Sequence, residues 1–167
     1  KDGHPVVFEN SGLPFTDAEG NFKGYRGTSR DITERQQAEA LLRASEERYR
    51  TLFQSAAEGI IVADIETRKF VYANPAMCRM LGYTEAELLR LGVSDISTPE
   101  DLEMVVAEFM AQVRGEKTLA PALPCLRKDG ARIYADVTSA AVVVDGKDCI
   151  VGFFTDITER QRAENVV

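Results

Sequence analysis

The chain is written in short apolar runs of two kinds, and the period of each run predicts its element. "GIIVADI" (59–65) and "KFVYA" (69–73) are strand-sized and rich in β-branched and aromatic residues, with a turn around Glu66–Arg68. Asn74-Pro75 then opens a short helix that runs to Leu81 and stops at Gly82: Asn at N-cap, Pro at N1, Gly at C′. "TEAELLRLG" (84–92) repeats the pattern with a capping box from Thr84 to Glu87. "TPEDLEMVVAEFMAQVRG" (98–115) reads as the longest helix of this region, with Thr98 as cap, Pro99 opening, Asp101 closing the box and Gly115 ending it. Leu102, Val105, Val106, Phe109 and Val113 form its apolar stripe.

Three strands follow. "TLAPALPCLRK" (118–128) contains Pro121 and Pro124, which suit only an edge strand or a bulge. "ARIYADVT" (131–138) alternates, with Ile133, Ala135 and Val137 on one face and Tyr134, Asp136 and Thr138 on the other. "DCIVGFFT" (148–155) is apolar on both faces, so it is expected to be central and covered on both sides. The order β-β-α-α-α-β-β-β predicts an α+β fold: one antiparallel sheet with helices on one face.

One phrase is written twice, "DITERQQAEA" at 31–40 and "DITERQRAE" at 156–164. The match extends upstream. "KDG" stands at 1–3 and again at 128–130, each time followed by two strand-like runs joined by a turn. Gly27 and Gly152 both fall four residues before the Asp of the phrase. The chain therefore reads as the tail of one domain followed by a complete second domain that ends the same way. A lone hairpin is barely stable. The first copy is expected to be disordered or to pair its open edge with another chain or with the complete domain.

The phrase predicts a joint. Asp156 at N-cap, with Ile157, Thr158 and Glu159 at N1 to N3, allows a capping box that turns a strand directly into a helix. Asp31, Ile32, Thr33 and Glu34 repeat it. The relay residues singled out are Asp156, Thr158 and Arg160, with Asp31, Thr33 and Arg35 as their first-copy equivalents, and a pair between Asp156 and Arg160 is expected. After the first copy a helix is predicted from about 32 to 54. Ala38, Leu42, Ser45, Tyr49, Leu52 and Ala56 recur in steps of four and three, a short and impure heptad seam. It fits a dimeric coiled coil or an amphipathic helix lying on its own domain.

Composition narrows the field. Of the 167 residues, 44% are hydrophobic and 28% charged, as in an ordinary globular domain. The net charge of −7 argues against nucleic acid and against an anionic membrane surface. No apolar run approaches the ~20 residues that span a bilayer. The chain begins with Lys rather than Met and is expected to be a piece of a longer protein. Cys78, Cys125 and Cys149 share no CxxC spacing, so a disulfide framework and a zinc site are not expected, and a cytoplasmic setting is. The only histidine is His4, outside the complete domain, and no phosphate-binding glycine loop is present, so this stretch is not expected to be an enzyme.

"YANPAMCRMLGYTEAEL", followed by "RKDG" and "DITER", resembles a PAS domain of the form common in bacterial sensor kinases and cyclases. The resemblance covers about 46–160. It implies a five-stranded antiparallel PAS-type sheet at 55–158, an upstream PAS hairpin at 1–30, a linker or signalling helix at 31–54 and the start of an output helix at 159–167. It also implies sensing, homodimerisation through the linker helices, and relay between upstream and downstream domains of the same chain. The parent would be a two-component sensor such as a histidine kinase, or a cyclase. A ligand-free dimerisation spacer and a chromophore-bound redox or gas sensor are the alternatives.

Some PAS domains hold flavin, haem or small acids between sheet and helices. Carried over by position, the pocket here comprises Ile61, Ala63, Leu123, Cys125, Ile133, Ala135, Val137, Ile150 and Phe154 from the sheet. Met77, Met80, Val106 and Phe109 close it from the helices. The positions where flavin-binding relatives keep Asn or Gln are Cys125, Ala135 and Phe154. Cys78 lies in an earlier helix than the photoreactive Cys of such relatives. The long helix has no histidine for haem. No cofactor is expected; the core is self-filled or takes a small or apolar ligand.

Overall fold

The computed structural model describes residues 3–166. Lys1 and Asp2 of the first "KDG", and Val167 at the end of the predicted output helix, lie outside the described residues. The chain divides into two compact units between Arg50 and Thr51.

The first unit holds β1 (Phe8–Thr16) and β2 (Phe22–Asp31), an antiparallel hairpin, and most of α1 (Thr33–Ser55). All nine residues of β1 are exposed, and α1 buries none of its residues. Leu42, Tyr49 and Leu52 of the heptad seam are each at least 60% exposed. Ala56, the last seam position, falls beyond the helix.

The second unit is a five-stranded antiparallel sheet in the order β4-β3-β7-β6-β5. Its strands are β3 (Gly59–Asp64), β4 (Phe70–Ala73), β5 (Leu119–Leu126), β6 (Arg132–Val144) and β7 (Lys147–Asp156). Between β4 and β5 come α2 (Pro75–Leu81), α3 (Glu85–Leu88), a single 3-10 turn (Val93–Ile96) and α4 (Leu102–Val113). A last helix, α5 (Thr158–Glu164), follows β7. The core lies between the sheet and the helices: Met77, Leu81, Leu88, Val105, Ile133, Ala135, Ile150 and Phe154 belong to one buried cluster.

Local chemistry explains these boundaries. The Asn74 side chain caps α2 by accepting from Met77 N–H, and Gly82, at φ +77°, closes it by donating to Cys78 C=O. Both halves of the Thr84–Glu87 capping box form at α3. The prolines place β5 at the sheet edge, with a register break between Ala120 and Leu123 and Ala122 at φ +50°. A Cβ on Gly59 would stand 2.8 Å from Met77 Sδ, so α2 rests directly on the start of β3.

Two expectations are corrected. The long helix starts at Leu102: Thr98 Oγ1 accepts from Asp101 N–H at 3.3 Å, as the expected box requires, but the Asp101 carboxylate takes the Thr98 hydroxyl at 2.7 Å instead of the Thr98 backbone. Asp101 also pairs with Arg132 at the start of β6. And β7 is central, with its outward Cys149 buried like its inner face but the rest of the outward face less so. Outward Val151 and Phe153 are half-buried, shielded by their cross-strand neighbours Val62 and Ile60 on β3 and Ala140 and Thr138 on β6.

The two hairpins share one register. Phe8 pairs with Asp31 as Ala135 pairs with Asp156, and Gly12 with Gly27 as Ser139 with Gly152. The duplication in the sequence is thus a duplication of backbone geometry.

Candidate functional site: a cavity and a strand-to-helix joint

A cavity of about 60 Å³ lies between the inner face of the sheet and α4. Of the residues singled out by position, Ile61, Ala63, Phe109, Leu123, Cys125, Val137, Ile150 and Phe154 line it. Met77, Met80, Val106, Ile133 and Ala135 do not. Met77 and Met80 are packed beneath Gly59, and Ile133 and Ala135 are buried in the surrounding core. On α4 it is Val105, not Val106, that reaches the cavity; one residue turns a helix by about 100°. Sequence reading missed Phe70, Val93, Ile96, Ser97, Gln112 and Ser139 in the lining. Three of these sit on or beside the 3-10 turn, too short to show a period. Gln112 sits on the polar flank of the α4 stripe, yet its amide nitrogen donates to Thr118 C=O at 3.2 Å and Val137 C=O at 3.0 Å.

The lining holds no acidic, basic or histidine side chain. Burial pushes the Cys125 thiol up to about 12, helped by the Asp156 carboxylate, so it is a neutral wall group. Of amide side chains the lining supplies only Gln112. Drug-sized ligands occupy ~300–1,000 Å³ with a few placed polar groups, and no histidine stands in this unit.

The joint lies where β7 meets α5. Asp156 Oδ1 accepts from Thr158 N–H at 2.8 Å and from the Thr158 hydroxyl at 2.5 Å. That hydroxyl oxygen in turn accepts from Tyr134 N–H at 3.0 Å, and Ile157 N–H donates to Tyr134 C=O at 2.9 Å. Thr158 and Ile157 are both buried. Helix α5 is therefore fastened to β6 by both backbone groups of Tyr134.

The first unit repeats this bond for bond. Asp31 Oδ1 accepts from Thr33 N–H at 2.9 Å and its hydroxyl at 2.6 Å, which draws the carboxyl below its usual range. Thr33 Oγ1 accepts from Val7 N–H at 2.9 Å, and Ile32 N–H donates to Val7 C=O at 3.0 Å.

The expected capping box is not what forms. Ile157, not Asp156, occupies the N-cap, and α5 begins at Thr158. Among the described contacts Glu159 makes no bond back to the cap. The carboxylate instead closes an Asx turn two residues ahead, while the Ile157 N–H is taken by β6. The expected Asp156–Arg160 pair is also replaced. Arg160 reaches Asp136 Oδ2 at 3.4 Å and Glu164 at 3.8 Å. In the first copy Arg35 pairs with Glu39 at 3.0 Å.

Asn74, read from sequence only as a helix cap, does more. It is fully buried. Its Oδ1 accepts from Ile60 N–H (2.8 Å) and Met77 N–H (3.0 Å), and its Nδ2 donates to Phe53 C=O (3.1 Å) and Glu58 C=O (3.0 Å). One side chain thus ties the end of α1 to β3 and α2. Nothing in the sequence separates that role from an ordinary cap.

A family model described as "PAS domain" matches residues 1–34 and 57–159. The sensor histidine kinase TmoS of Ectopseudomonas mendocina is 29% identical over 79% of this chain. A methyl sulfide methyltransferase-associated sensor of Methanosarcina acetivorans is 28% identical over 77% of it. The chain spans only 14% and 13% of those two proteins. A solved domain of a sensory box sensor histidine kinase/response regulator from Geobacter sulfurreducens is 28% identical, with a TM-score of 0.57 over 69% of this chain and 96% of that one.

Proposed function

Because the chain belongs to the PAS domain family, we propose that its five-stranded unit is a sensory module of a longer signalling protein, a sensor kinase like its relative from Ectopseudomonas mendocina. Occupancy of the cavity changes the sheet, and the sheet moves α5. The observation that carries this reading is the double fastening of α5 to Tyr134 through Ile157 and Thr158, which leaves no slack loop between β-ribbon and helix. Upstream motion enters through α1, whose last turn is held by Asn74. In this reading 1–30 is the closing hairpin of a preceding PAS domain, and phosphotransfer belongs to downstream domains. Two copies associate along the exposed α1 seam, a face a dimerisation spacer would also need. Among the described residues no helix is long and apolar enough to cross a membrane.

The test reads α5 directly. Amide hydrogen exchange at residues 158–164 is compared in the parent chain, Asp156→Ala and Thr158→Val. Both variants should raise exchange of α5 by ~5- to 30-fold, the equivalent of ~1–2 kcal/mol, while β3 and β7 stay protected. The same substitutions in a chimera carrying a histidine kinase core after α5 should shift its autophosphorylation rate. A loosened α5 with an unchanged rate would sink the relay.

A further inference from the structure

The cavity also specifies its occupant, if it is the sensory pocket proposed above. Ile61, Val105, Leu123, Val137 and Phe154 make its walls hydrocarbon. Of its polar side chains two are engaged in part: the Ser97 hydroxyl donates to Val93 C=O at 3.2 Å and the Gln112 amide nitrogen to two backbone carbonyls, which leaves Ser139 as the one hydroxyl of the lining without a described bond. A carboxylate or phosphate brought here would lose its hydration and meet no cation in the lining. Water gains little, since a buried water needs about two to four polar partners.

Size sets the other limit. An apolar cavity of ~150 Å³ stays dry and accepts benzene or xenon. The 60 Å³ present here is under half of that, room for roughly two to four heavy atoms. We infer that the cavity binds an uncharged, apolar molecule of this size, such as a dissolved gas or a light hydrocarbon, and rejects anions and aromatic cofactors. Binding needs no covalent step.

The probes are xenon and propane, titrated into the whole chain and followed by the methyl spectra of Ile61, Val105, Leu123, Val137 and Ile150. Saturable shifts confined to these methyls are expected, with none from sodium acetate. Ala63→Leu, which fills the cavity, should weaken xenon binding by at least ~tenfold. Should that variant fail to fold by circular dichroism, Val137→Ile fills less and should weaken it by a smaller factor. No saturable response to either probe, or an equal response to acetate, overturns the inference. Exchange at α5, read in the same samples, keeps the two readings apart. Gas binding that leaves α5 unchanged upholds the ligand class and removes the relay. An α5 that still depends on Asp156, in a chain deaf to both probes, removes only the ligand class.

Discussion

Asn74 commits its whole amide to four backbone groups in a site closed to water. Truncation leaves two N–H and two C=O groups without their partner. Asn74→Ala should cost on the order of 3 kcal/mol, read as a lower urea midpoint. Asn74→Asp should cost at least as much, because a second oxygen would then face the Phe53 and Glu58 carbonyls. A loss under ~1 kcal/mol in both would mean the amide is replaceable. Cys125 yields a prediction in pH. Its thiol is raised from 9.0 to about 12 by burial. Folding therefore favours its protonated form. The contribution is full below the unfolded pKa and is lost as pH climbs from about 9 towards 12. Stability should fall more steeply across that range in the parent than in Cys125→Ala, by urea unfolding at matched pH values. Parallel slopes would contradict it.

Among the elements, β6 is the one to which α5 is fastened. Tyr134 holds the helix by its backbone, and Asp136, two residues on, joins three elements. Its Oδ1 accepts from Ala122 N–H at the β5 bulge (2.8 Å) and its Oδ2 meets Arg160 of α5. Leu123 and Pro124, immediately after Ala122, line the cavity. Asp136→Asn keeps an acceptor for the bulge and loses the ion pair, so α5 exchange should rise only ~2- to 5-fold, as for an exposed pair. Asp136→Ala also frees the left-handed Ala122 and should lower global stability by ~1–2 kcal/mol. Equal effects from both would show that the bulge does not depend on this carboxylate. Much of this layout was legible beforehand. The two prolines marked the edge strand, the Asn-Pro and Thr-x-x-Glu signals marked α2 and α3, and the repeat marked the joint. What failed had a physical cause. A carboxylate before a helix can close an Asx turn or cap the first turn, and only the neighbouring strand decides which. Likewise the stripe on α4 offered Val105 and Val106 alike, and only the helix's rotation against the sheet chose between them.

For the whole molecule, the exposed seam of α1 argues for association. Leu42, Tyr49 and Leu52 lie open along one helix whose other faces carry Glu and Arg. Sedimentation equilibrium should find a species of twice the 18.5 kDa chain mass. The double variant Leu42→Lys/Leu52→Lys should be monomeric with an unchanged far-ultraviolet spectrum. A parent chain that stays monomeric at high concentration would leave the seam to some other partner.

The common register of the two hairpins has a last consequence. Gly27 and Gly152 hold the same rung of their ladders, opposite Gly12 and Ser139. A gene cut at one and rejoined at the other would still encode an in-phase ribbon feeding its Asp-Ile-Thr turn. The helix beyond would be fastened by the same bonds. The two ribbons are therefore interchangeable up to that turn, and a chain rejoined at these glycines should keep its Asp-Ile-Thr bonds intact.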